Sequence, residues 1–347
     1  MSALGMNQTG CLEIVTERMP RPYWKSNWFR LSLGTAISVL FLYLAVREVP
    51  LGEVVESLAR VNLGWVAAAI AIGVFGSYLR ARRWMRLYYP NDAGLRAWQM
   101  WSISLIGQML NIIFPWRMGE VGRVVLAGEI EKRSKTQTLA TLGVEKIFDT
   151  LMLLTILIAV PFFMTLPLWL EQSREGLAIT AAILIGTALA LLISRNWLLI
   201  VIGKISFLRT RSIDERARLA LASLDVLKRW DVHLELQALS MAIWFLGGLT
   251  NYVALLALGL SLPFISAFVL LAVLQVGGFV PSSPGKIGVF QYLCILALAL
   301  FGVDKSIGLT YGILLYLVAY GPPLILGVLF LWWDGINLRR LSADTVE

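Results

Sequence analysis

Apolar runs of roughly 16–25 residues recur along almost the whole chain and constrain its fold more than any other feature, because about 20 such residues in a helix span a bilayer. The clear runs are residues 31–46, 63–79, 147–163, 177–194, 236–258, 263–280 and 307–333. Within hydrocarbon only helices and closed barrels satisfy every backbone group, and the period-2 alternation of a barrel is missing. Composition agrees: 58% of residues are hydrophobic and 15% are charged, against about 25% charged in a soluble domain. The expected fold class is therefore all-α: a polytopic integral membrane protein of about 7–8 transmembrane helices with two re-entrant or broken segments. One helical membrane domain is expected over residues 30–333, flanked by tails at 1–29 and 334–347.

Charge orients the runs. The net charge is +8 and the pI about 9.6, but the basic residues sit between apolar runs, which is positive-inside anchoring rather than a nucleic-acid footprint. The N-terminal tail has no apolar core or small-residue cleavage site, so it reads as a tail and not a signal peptide. Arg18, Arg21, Lys25 and Arg30 place it in the cytoplasm; Arg339 and Arg340 do the same for the C-terminal end. The loop at 47–62 is expected outside. The basic stretches at 80–97 and 195–233 are expected inside, and the basic loop 204–229 is a candidate for binding anionic lipid surfaces. Arg80, Arg82, Arg83 and Arg86 with Trp84 read as an interfacial anchor, and Trp332 and Trp333 as part of an aromatic belt. This scheme breaks if the run at 98–114 crosses fully, because every later loop would then be inverted. A re-entrant hairpin over 98–126 restores it, and irregular backbone at membrane depth is tolerated only inside protein or along a wet cavity.

Two segments share one local pattern. Pro115-Trp-Arg-Met-Gly119-Glu-Val-Gly122 and Pro281-Ser-Ser-Pro284-Gly285-Lys-Ile-Gly288 are both Pro-x-x-x-Gly-x-x-Gly, each after an apolar run. Proline ends the incoming helix and glycine permits the turn and close packing a hairpin needs. A matched pair of interrupted segments in two halves of a membrane protein points to a transporter-like site and a candidate inverted repeat.

Ionisable groups inside such segments usually face the interior with a partner. Glu120 and Arg123 share a helix face near Arg117 and Asn111, suited either to an anionic head group or to a structural ion pair closing the hairpin. Glu145 and Asp149 lie four apart beside Lys146 and call for a cation, Arg123 or Arg117, unless they face interfacial water. Ser282, Ser283, Lys286 and Gln291 surround the second break. Free N–H groups there, with Lys286, could hold an acidic head group, or the lysine simply snorkels. Cys11 and Cys294 read as unpaired and His233 is the single histidine, so no metal or other cofactor is expected. Nucleotide-binding, hydrolase and metalloprotease signatures are missing, and an enzyme is not expected.

At Asn111-Ile-Ile-Phe-Pro115-Trp-Arg-Met-Gly119-Glu120-Val-Gly-Arg123, Glu145-Lys146-Ile-Phe-Asp149 and Pro281-Ser-Ser-Pro284-Gly285-Lys-Ile-Gly288-Val-Phe the chain resembles the flippase-like family typified by the membrane region of lysylphosphatidylglycerol synthase. Lys146 stands where that family typically has Arg, and Gln291 where it usually has Glu. The resemblance implies a bacterial or archaeal inner-membrane protein that moves anionic lipids or lipid-linked sugars between leaflets, with Arg117, Glu120, Arg123, Lys146 and Lys286 around one head group. No aminoacyl-transferring domain follows within these residues, so synthase activity is not expected. Two alternatives stay open: a non-catalytic partner of a glycosyltransferase or lipid-synthesis enzyme, and a membrane transferase using Glu145 or Asp149 as base.

Overall fold

The computed structural model describes residues 23–114, 118–163, 230–278, 280 and 282–333, and among these every regular element is helical. The helices are α1 (Tyr23–Val46), α2 (Leu51–Ala59), α3 (Leu63–Arg86), α4 (Ala97–Ile113), α5 (Met118–Ile130), α6 (Lys135–Phe163), α7 (Trp230–Ala257), α8 (Ile265–Gly277), α9 (Val289–Ala299) and α10 (Lys305–Trp333), with one 3₁₀ turn at Pro284–Lys286. Helices α3, α7 and α10 have 24, 28 and 29 residues and are long and apolar enough to cross a membrane. Their lengths of about 36–44 Å exceed a hydrocarbon core of about 30 Å. The protein is thus an all-α, polytopic membrane protein.

Local chemistry sets the breaks. Asn62 caps α3, its Oδ1 accepting from Gly64 N at 2.9 Å and Trp65 N at 3.3 Å. Phe114 ends α4 in an extended conformation, φ −104° and ψ 144°, the conformation favoured before a proline. At the second break Gly285 and Gly288 take φ of 71° and 88°, left-handed values that glycine adopts without a steric penalty.

Helices α4 and α5 fold back on each other, as do α8 and α9. With 17, 13, 13 and 11 residues, these limbs reach only about 17–26 Å, short of a full crossing. The turns meet inside the protein: a Cβ on Gly285 would lie 3.6 Å from the Ile112 carbonyl oxygen. Helix α1 seals the second break from behind, where the Ser38 hydroxyl accepts from Ser283 N at 2.8 Å. One apolar core joins the end of α3 to α4, α5 and α6; another joins α7, α8, α9 and α10.

Two expectations need revision, and others fall outside the described residues. The stretch at 47–62 contains α2, whose axis turns 82° from α1 and whose Val54 is buried. The run at 263–280 yields only the 13-residue α8, which ends at Gly277 with Gly278 as its C-cap. The run at 177–194, the basic stretch 204–229, residues 1–22 and 334–347, and the residues Pro115, Arg117 and Pro281 lie outside the described residues.

Candidate functional site

The first hairpin is held by backbone contact that only glycine allows. A Cβ on Gly119 would stand 1.8 Å from the Gly107 carbonyl oxygen, and one on Gly122 would stand 2.6 Å from Leu110 Cδ1. Asn111 completes the turn, its Oδ1 accepting from Gly119 N at 2.8 Å. Asn111 thereby fixes where α5 begins, and with it the directions of Glu120 and Arg123.

Arg123 points into a buried charge network. Its Nη2 donates to Glu145 Oε2 at 2.9 Å, and its guanidinium carbon lies 4.0 Å from the centre of the Trp84 ring. Arg83 enters from α3, its Nη2 donating to Asp149 Oδ1 at 2.7 Å and lying 3.9 Å from Glu145 Oε1. The other amine of Arg83 donates to Ser240 Oγ on α7 at 3.0 Å. Arg83 is fully buried and Glu145 is 2% exposed. Two cations and two anions therefore tie α3, α5, α6 and α7 together, a balance that burial demands. Trp84 Nε1 donates to Thr141 Oγ1 at 3.1 Å and Tyr88 OH to Thr138 Oγ1 at 2.8 Å, fixing α6 against α3.

Glu120 and Lys146 form a second, more exposed pair, Nζ to Oε1 at 3.3 Å. At the second break the backbone donors are turned inward: Ser283 N to Ser38, Lys286 N to the Ser283 carbonyl at 3.0 Å, and Gly288 N to Gln291 Oε1 at 2.7 Å. Gln291, 7% exposed, is a helix cap. Pro284 opens the 3₁₀ turn.

A cavity of about 440 Å³ lies where the two hairpins meet α3, α7 and α10. Its wall includes Asn111 and Ile112 from the first break and Gly285 and Lys286 from the second. Arg80 faces it from α3, and no Asp or Glu is among the described residues lining it. Lys286 sits at φ 56°, a left-handed value that costs a non-glycine residue about 1–2 kcal/mol. Strain of this kind collects at sites where a side chain must be aimed.

The four described members of the head-group cluster expected from the motifs, Glu120, Arg123, Lys146 and Lys286, do not all line one cavity. Of its described members only Lys286 lines the cavity; Arg123 is paired within the protein, and Glu120 and Lys146 pair outside it. Arg83 and Arg80 were missed because the whole arginine stretch reads as an interfacial anchor. Helical spacing carried the signal: Arg80 and Arg83 are three apart and continue the face of Gly73, Gly76 and Ser77, whereas Arg82 is exposed and Arg86 pairs with Glu235 and Asp92.

Long apolar helices with two paired short hairpins around an interior cavity define a multi-pass helical membrane protein. The chain belongs to the family described as the lysylphosphatidylglycerol synthase TM region, whose model matches residues 31–327. It is 23% identical over 330 residues to a UPF0104 membrane protein of Methanothermobacter thermautotrophicus, covering 89% of this chain and 96% of that relative. No solved structure matches it.

Proposed function

We propose that this protein moves lipids with anionic head groups between the leaflets of a bacterial or archaeal cell membrane, with both termini in the cytoplasm and no bond made or broken. The observation that carries the reading is the cavity of about 440 Å³ at the junction of the two hairpins, with Arg80 and Lys286 on its wall and no described carboxylate there. Ionisable side chains in membrane segments are rare, face the interior or a wet cavity, and mark ligand or ion pathways. The volume is in the lower part of the range of about 300–1,000 Å³ for small-molecule sites, enough for a head group while the tails stay in lipid. Membership of a family named for a lipid synthase's membrane region supports a lipid ligand.

The test is leaflet exchange of fluorescent lipids in vesicles containing the purified protein, against protein-free vesicles. Accelerated exchange of phosphatidylglycerol or a lipid-linked sugar phosphate, above that of phosphatidylcholine, is the expected result. No acceleration for any anionic lipid would overturn the reading in favour of a membrane partner for a glycosyltransferase or lipid-synthesis enzyme.

A further inference from the structure

The family's name points to a lysylated, amine-bearing head group, and the cavity has the wrong charge for one. Resting on the lipid reading above, we infer that the ligand is a phosphate-bearing head group whose remaining substituents are uncharged hydroxyls, and that aminoacylated head groups are excluded.

Three observations carry this. The first is charge: Arg80 and Lys286 are cations, and no carboxylate is among the described lining residues. The acid on which Arg80 acts through space is Glu145, already held by Arg123 and Arg83. An added ammonium would meet the charge of both cations with no described carboxylate on the wall to offset it. A phosphate would meet the guanidinium fork, which matches two of its oxygens.

The second is hydrogen-bonding capacity. Ser77, Asn111, Thr250 and Asn251 on the wall each have a partner within the protein. Arg80, Gln108, Gln275 and Tyr320 line the same space and have no hydrogen-bond or ion-pair partner among the described residues. One cation with two amides and a phenol can serve one phosphate and several hydroxyls.

The third lies in α10. Pro322 and Pro323 stand inside the helix and deny the Val318 and Ala319 carbonyls their usual donors four residues on. All four residues line the cavity. Freed carbonyls at membrane depth need new donors, and the hydroxyls of a glycerol or sugar are donors that add no positive charge beside Arg80 and Lys286.

The experiment measures thermal stabilisation of the detergent-purified full chain by dihexanoyl phosphatidylglycerol, its lysylated counterpart, glycerol phosphate and inorganic phosphate, each titrated to saturation. Phosphatidylglycerol should bind at least tenfold more tightly than the lysylated lipid. Arg80→Gln should erase that difference and Arg80→Glu should reverse it. If both Arg80 variants misfold, Gln275→Leu, at an exposed position, should weaken phosphatidylglycerol several-fold. Equal or tighter binding of the lysylated lipid would overturn the inference. So would glycerol phosphate or inorganic phosphate matching the lipid, which would mark a site for soluble phosphate. The preference could hold without leaflet exchange, which would sustain this inference and defeat the translocation reading. Exchange without the preference would do the reverse.

Discussion

Glu145→Gln tests whether the buried network holds four helices together. Arg83 is 0% and Glu145 2% exposed, and the four groups are balanced two against two. Removing the Glu145 charge leaves Arg123 with no carboxylate partner among the described residues and Arg83 with Asp149 alone. An uncompensated buried charge costs about 3–5 kcal/mol. Because Arg123 keeps its Trp84 contact, is 11% exposed and retains an amide oxygen to donate to, the lower end, about 3 kcal/mol, is expected. Glu120→Gln breaks a pair whose side chains are 33% and 53% exposed and should cost only about 0–1 kcal/mol. Reversible unfolding by SDS in mixed micelles measures both. The double replacement Arg123→Met with Glu145→Met should cost less than the two single changes summed, by about 0.5–3 kcal/mol. If Glu145→Gln cost no more than Glu120→Gln, the network would not be what ties these helices.

Gly119→Ala drives a methyl to 1.8 Å from the Gly107 carbonyl oxygen, so the hairpin must open, and a loss of at least about 1–3 kcal/mol is expected. Gly143→Ala, with nothing within 4 Å of its Cβ, should instead stabilise α6 by about 0.5–1 kcal/mol; equal effects in the same unfolding assay would refute the close-packing argument. Gln291→Glu keeps an acceptor for Gly288 N in the first turn of α9, where the helix dipole favours a carboxylate, and should cost less than Gln291→Leu. Gln291→Leu orphans that buried donor at a cost of about 1–3 kcal/mol, and a tolerated leucine would show that the cap is dispensable.

Much of the architecture is visible in the sequence because bilayer thickness and backbone hydrogen bonding leave few options. The long runs give α3, α7 and α10, and the Pro/Gly patterns mark both hairpins. What the sequence hides depends on direction around a helix axis. Arg83 and Arg86 lie in one arginine-rich stretch, yet the first is fully buried against Asp149 and the second reaches Glu235. Glu120 and Arg123 are one turn apart on α5 and take different partners, Lys146 and Glu145. Ser283 and Gln291 resemble ligand contacts in the sequence, but the groups that occupy them, Ser38 and the Gly288 amide, require knowing that α1 packs behind the turn and how the turn folds. The α2 helix escaped notice because nine residues with two glutamates look like a polar loop until Val54 finds its neighbours.

The central claim is that the cavity is the route for lipid, and a plug tests it most directly. Gly73 lines the cavity, and a Cβ there meets only Thr250 atoms at 3.9 Å, an ordinary contact, so Gly73→Leu fills space without displacing backbone. Exchange of fluorescent phosphatidylglycerol should be measured in vesicles with wild type, Gly73→Leu and Gly143→Leu, all at equal folded protein. The account predicts that exchange is lost in Gly73→Leu and kept in Gly143→Leu. Undiminished exchange through the plugged protein would contradict it.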